Sequence, residues 1–169
     1  MSDPLFVHAT GLAALSLSLS GTLQRSDRKL RRGHLLAGVF WVLNSILLGA
    51  TTMAALSCVS AARTGTASLM DGWGDRIRIV ACALFAALSL ATAAITWHGW
   101  LTLPPAAASV LVTYAAFYLT GQQLRLALLV SALLWMQSVL SLHSPEQIIG
   151  NLLAVVAAAA GAWRTRRTA

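Results

Sequence analysis

The stretch Gln24–Gly49, QRSDRKLRRGHLLAGVFWVLNSILLG, decides how the chain is read. It opens on a basic run, Arg25, Arg28, Lys29, Arg31 and Arg32, expected to form a tight loop. It then passes into an apolar helix interrupted by Trp41 and Asn44 and closed by Gly49. Cations clustered beside an apolar helix mark one side of a membrane. Polar side chains within that helix sit where lipid offers them no partner.

The rest of the chain follows the same pattern. Of its 169 residues 57% are hydrophobic and only 10% charged, with a mean hydropathy of +0.72, whereas soluble domains carry about a quarter charged residues. This is the composition of an integral membrane protein. A pI near 11.1 would suggest nucleic acid in a soluble protein, but the cations lie in short clusters between apolar runs, and nucleic acid is not expected as a partner. Met1–Phe6 offers only Asp3 before the first apolar run, so that run lacks the basic flank of a cleaved signal and is expected to stay. Cys58 and Cys82 both fall inside apolar runs and read as small hydrophobes.

Lipid cannot hydrogen-bond a bare backbone, so each spanning segment must be a helix or part of a closed barrel, and long non-alternating runs exclude the barrel. The sequence predicts an all-α bundle of seven transmembrane helices, at about 5–23, 33–48, 51–67, 77–97, 103–119, 124–142 and 146–163. Gly49, Pro104-Pro105 and Ser144-Pro145-Glu146 punctuate it as helix stops and starts. All connections are short, leaving a single transmembrane domain over 1–169.

Alternation of seven helices brings the loop at 24–32, the segment at 68–76, the turn at 120–123 and the C-terminal tail to one side. All twelve Lys and Arg residues fall in or beside those regions. The positive-inside rule then predicts an outside N-terminus and a cytoplasmic C-terminus. The helices divide as a first triplet at 5–67, a linker helix at 77–97, a second triplet at 103–163 and a basic tail at 164–169. An odd linker gives both triplets the same orientation, a parallel repeat. Superposing Trp41 on Trp135 matches hairpin with hairpin, although Trp41/Trp135 and Leu48/Leu142 are nearly the only identities in that register.

Trp73, Trp97, Trp100 and Trp163 are expected at the interfaces as aromatic belts. Trp41 and Trp135 lie near mid-helix, either filling space or lining a shared cavity. Asn44, Ser57, Gln137 and Asn151 fall at comparable depth. Each could serve as interhelical glue; with the two tryptophans they form a candidate substrate site for a neutral solute. No Asp, Glu, Lys or Arg is expected deep inside a helix, so no proton relay or charged anchor is predicted. The one lysine, Lys29, is placed in a loop, which excludes a retinal-type Schiff base on the last helix. His8, His98 and His143 map to the outer rim and read as interface residues; no metal, cofactor or catalytic cluster is predicted. Gly33/Ala37, Gly150/Ala154 and Ala157/Gly161 are small-residue pairs suited to close helix packing.

The run Gly11-Leu12-Ala13-Ala14-Leu15 through Gln24 to Arg32, then Asn44 to Gly49 and Ala61-Ala62-Arg63, resembles the YgjV-type bacterial inner-membrane proteins, and the similarity extends through Trp135 to Trp163-Arg164. That family in turn resembles the SWEET and PQ-loop transporters. The resemblance implies a three-one-three helix plan, an inner-membrane location, and Trp41, Asn44, Trp135 and Asn151 as the positions to suspect. The Pro-Gln signature reads Leu23-Gln24 here, which weighs against sugar as the substrate. The expected function is a small neutral solute facilitator that rocks two helix triplets about a central polar site. The alternative is a non-transporting adaptor, receptor or assembly factor. Expected partners are the lipid bilayer and such a solute, with self-association left open.

Overall fold

In the computed structural model, residues 4–24, 26–70, 72–141 and 145–166 are described, with side chains to Arg164. Seven α-helices account for nearly all of them: α1 Pro4–Thr22, α2 Asp27–Leu47, α3 Thr51–Leu69, α4 Asp75–Ile95, α5 Leu103–Tyr118, α6 Gly121–Ser141 and α7 Pro145–Arg166. A 3-10 turn at Trp100–Thr102 leads into α5. Among the described residues there is no strand.

The chief correction concerns the basic run. The expected loop at 24–32 is helical from Asp27 onward. Asp27 in the first turn meets the positive end of the helix dipole, and Lys and Arg are good helix formers, so the cations extend α2 instead of breaking it. Lys29 therefore sits on a helix. At the other end Gly49 takes φ 71, a conformation easy only for glycine, and its N–H bonds Ile46 O at 3.0 Å.

Among the described residues, five helical segments are long and apolar enough to cross a membrane: Pro4–Thr22, Asp75–Ile95, Trp100–Tyr118, Gly121–Ser141 and Pro145–Arg164. The α2 and α3 segments, expected among seven spans, fall outside that set. The cations of its first turns weaken α2, and the Ser and Thr residues of α3 weaken it. Both are nonetheless integral to the bundle.

The helices close into a ring. α2 packs between α1 and α3, α6 packs between α5 and α7, and the two triplets meet where α1 contacts α7 and α3 contacts α5. α4 lies outside the ring against α3 and α5, with Phe85 stacked on Phe117 at 6.2 Å between centroids. Cys82 packs in the same apolar cluster, as filler. The buried apolar positions are mostly alanine, while large aliphatics such as Leu36, Ile79, Leu90 and Val156 are exposed. That inverts a soluble core and suits a bundle whose backbones approach closely while lipid solvates the long side chains. The closest approach is Gly21 on Gly33, where a Cβ added to Gly33 would stand 2.5 Å from Gly21 Cα.

Two pairs of helices begin at the same interval. α2 and α6 are each 21 residues long, and their first residues, Asp27 and Gly121, are 94 positions apart. Thr51 and Pro145, which begin α3 and α7, have the same spacing.

Candidate functional site: a cavity between two helix triplets

A cavity of about 240 Å³ opens in the middle of the ring. All six ring helices line it and α4 contributes nothing. The lining repeats at the 94-residue interval: Ser18 with Val112, His34 with Leu128, Trp41 with Trp135, Ser57 with Asn151 and seven further pairs besides Met53 with Gln147. These twelve pairs are twenty-four of the twenty-nine lining residues, so the cavity lies on the seam between the triplets and belongs to neither alone.

Of the residues singled out in the sequence, Trp41, Ser57, Trp135 and Asn151 are brought together on this wall. Trp41 is held there by its indole N–H, which donates to Ser18 Oγ at 3.0 Å. Gly150 makes room for the ring, since a Cβ added there would stand 3.1 Å from Trp41 Cη2. Asn151 spends its amide on α6, donating to Ala132 O at 2.7 Å.

Asn44 and Gln137 are placed elsewhere. Asn44 is fully buried but does not line the cavity. It donates to Val7 O at 2.8 Å and Thr10 Oγ1 at 3.3 Å on α1, and its Oδ1 accepts from Gln147 Nε2 at 2.8 Å on α7. It is glue, tying α2 to both helices at the α1/α7 seam. Gln137 is exposed; it lies two residues from Trp135, too few for the two to share a face. Equal depth in the sequence did not mean equal azimuth.

A charged group does lie deep inside a helix, against expectation. Arg63 is six residues from the end of α3, about 9 Å along its axis at 1.5 Å per residue. It is 1% exposed and lines the cavity. Its Nη1 donates to Ser109 O at 2.8 Å and Thr113 Oγ1 at 3.0 Å, and Nη2 to Ser60 Oγ at 2.6 Å. Its Nε, buried, has no acceptor among the described residues. Every described carboxylate is engaged elsewhere: Asp27 with Arg125, Asp75 with Arg78, Glu146 with His8. A buried ion costs several kcal/mol when uncompensated, and here three neutral acceptors share the task. The sequence reading assigned Arg63 to the basic loops because it stood near them. The overlooked signal was Ser60 one turn earlier, a ready acceptor on the same face.

The seam around the cavity is tied at both ends. At the end carrying the α1/α2 and α5/α6 turns, Asp27 Oδ1 accepts from Arg125 Nη1 at 2.9 Å, and Asp27 Oδ2 from the Gly121 N–H at 2.8 Å. At the other end His8 bonds Glu146 and Asn44 bonds Gln147. His98 bonds Thr96 O and is turned to the α3/α4 side, away from His8. His143 lies outside the described residues. No group of three or more His, Cys, Asp or Glu residues suited to a metal occurs among the described residues.

These features define a polytopic helical membrane protein with an interior cavity whose mainly apolar wall carries a few polar side chains. A family model described as Imp-YgjV, bacterial inner membrane protein, matches residues 5–169, and the chain belongs to that family. No curated protein matches the chain, and no solved structure does.

Proposed function

We propose that the chain is a small-solute facilitator of the bacterial inner membrane, working by rocking of its two helix triplets about the central cavity. The observation that carries this reading is the paired lining: equivalent positions of α1–α3 and α5–α7 face one another across the seam. Repeat-built transporters place their sites at such an interface and move one repeat against the other. The SWEET and PQ-loop resemblance belongs to the same reading. So does the orientation, N-terminus outside and C-terminus cytoplasmic, which rests on the cations gathered at one end.

The seam ties supply the gates of this cycle. Opening toward the basic end separates Asp27 from Arg125 and leaves Asn44–Gln147 and His8–Glu146 closed; opening the other way does the reverse. A volume of about 240 Å³, below the roughly 300 Å³ at which drug-sized pockets begin, suits a small solute. The neutral solute expected from the sequence presupposed an interior without ions, and Arg63 removes that premise.

The second reading, an adaptor, receptor or assembly factor, is favoured by the same ties, because a seam bonded at both ends also suits a static bundle. Uptake by proteoliposomes of a panel of small sugars, amines, vitamins and carboxylates separates the two. Saturable flux that is lost in Trp135→Ala supports the carrier. Absence of flux for the whole panel supports the adaptor.

A further inference from the structure

We infer that Arg63 is an anion anchor and that the cavity binds a small carboxylate through its guanidinium. Five observations converge on it. Arg63 is buried inside the helix bundle and is one of the residues that line the cavity. It has no carboxylate partner among the described residues, whose acids are paired with Arg125, Arg78 and His8.

Its donors are also incompletely used. A guanidinium carries five N–H groups. Ser109 O and Thr113 Oγ1 take the two on Nη1, and Ser60 Oγ takes one on Nη2. Nε–H has no acceptor among the described residues. It lies on an edge of the guanidinium that a carboxylate can engage, and arginine's planar fork suits that pairing better than lysine's ammonium.

Position gives the fourth observation. Arg63 breaks the pairing of the cavity wall: the residue 94 positions on is Ala157, which does not line the cavity. Its acceptor Ser109 has no lining counterpart at Leu15 either. Arg31 also lines the cavity without its counterpart Arg125, but it is only partly buried and bonds Leu119 O. Arg63 is therefore the fully buried cation of the wall, which suits a solute with a charged end and an apolar or hydroxylated end. The fifth is scaffolding. Ser109 Oγ is bonded to Ser89 Oγ of α4 at 2.8 Å, so the peripheral helix braces the segment that holds the arginine. Ionisable residues within membrane helices mark ligand and ion pathways more often than packing.

The inference uses the same cavity as the carrier reading but requires only binding. Purified protein in neutral detergent is titrated with lactate and with its uncharged isostere lactamide, alongside acetate, succinate, inorganic phosphate and sodium chloride. Thermal unfolding and tryptophan fluorescence are both recorded, the latter because Trp41 and Trp135 share the wall. Lactate or another of the carboxylates is expected to raise the midpoint in a saturable manner, with lactamide and chloride inert. Arg63→Lys, which keeps the charge and loses the fork, is expected to weaken carboxylate binding at least tenfold, and Arg63→Gln to abolish it. If Arg63→Gln does not fold, Arg63→Lys and Ser60→Ala carry the test. Equal shifts from lactate and lactamide, equal shifts in wild type and Arg63→Lys, a response to phosphate or chloride alone, or no response to any carboxylate would each overturn the anchor. Repeating the titration with added phosphatidylglycerol separates sources: competition by the lipid against an inert lactate would assign the arginine to a headgroup and overturn the solute reading. Carboxylate binding without flux keeps the anchor and removes the carrier. Flux of neutral solutes without carboxylate binding does the opposite.

Discussion

Arg31 and Arg125 stand at equivalent positions of α2 and α6, and each reaches across the seam to a backbone carbonyl beside the other triplet's turn. Arg31 Nη2 donates to Leu119 O at 3.3 Å, and Arg125 Nη2 donates to Gln24 O at 3.1 Å. The clasp is two-fold in its backbone contacts and one-sided in its charge, for among the described residues Arg125 is bonded to a carboxylate, that of Asp27, and Arg31 to none.

That asymmetry makes Asp27 the more informative residue to change. Arg125 is nearly fully buried and Asp27 about a quarter exposed, so neutralising the carboxylate takes a charged acceptor from a buried cation, a loss of about 1.5 to 3 kcal/mol. Asp27→Asn is expected to lower the thermal midpoint clearly in detergent. Asp75→Asn, whose partner Arg78 is 3.7 Å away and whose own side chain is 90% exposed, should change it by less than about 1 kcal/mol. Equal effects would show that the Asp27–Arg125 contact is not closed in the ground state.

Asn44→Leu is expected to destabilise the protein by about 1 to 3 kcal/mol, since it removes bonds to α1 and orphans the amide of Gln147. Because Asn44 does not line the cavity, the variant that remains folded should bind solute with near wild-type affinity. Gln137→Leu on the exposed face should be neutral in both measurements. A selective loss of ligand-induced stabilisation in Asn44→Leu, with intact stability of the empty protein, would put Asn44 back into the site.

The α1/α2 crossing depends on the absence of a side chain. Gly33→Ala would press a Cβ to 2.5 Å from Gly21 Cα, and such overpacking costs about 1 to 3 kcal/mol. Gly74→Ala meets nothing within 4 Å and is the matched control. Comparable melting of the two variants would mean that the helices cross elsewhere.

The fold was legible in the sequence to the extent that it depended on hydropathy and helix punctuation. The ends of α3, α5 and α7 fell within about three residues of those expected from Gly49, Pro104-Pro105 and Pro145. The start of α2 did not, because charge was read as loop although Asp27 and the following Lys and Arg residues are sound helix formers. The 94-residue interval showed in identities chiefly at Trp41/Trp135 and Leu48/Leu142. The cavity wall carries different side chains at positions 94 apart, such as His34 and Leu128, so few identities mark the interval. Two of the six candidate residues lie off the cavity wall, and the buried lining cation was not among the candidates, each for a physical reason. Depth along a helix says nothing of direction around it, which separated Gln137 and Asn44 from Trp41's wall. Proximity to a basic loop says nothing of whether a long side chain turns inward, which hid Arg63.

The central claim is that the cavity between the triplets opens to each side of the membrane in turn. Ser57, on its wall, reports this directly as a single cysteine in a Cys58→Ala/Cys82→Ala background. It is exposed to a membrane-impermeant thiol reagent in right-side-out and in inside-out vesicles. Modification from both sides is expected, with the fraction reached from the basic side rising when Asp27→Asn is added. Modification from one side only, unchanged by Asp27→Asn, would contradict alternating access and leave a static bundle.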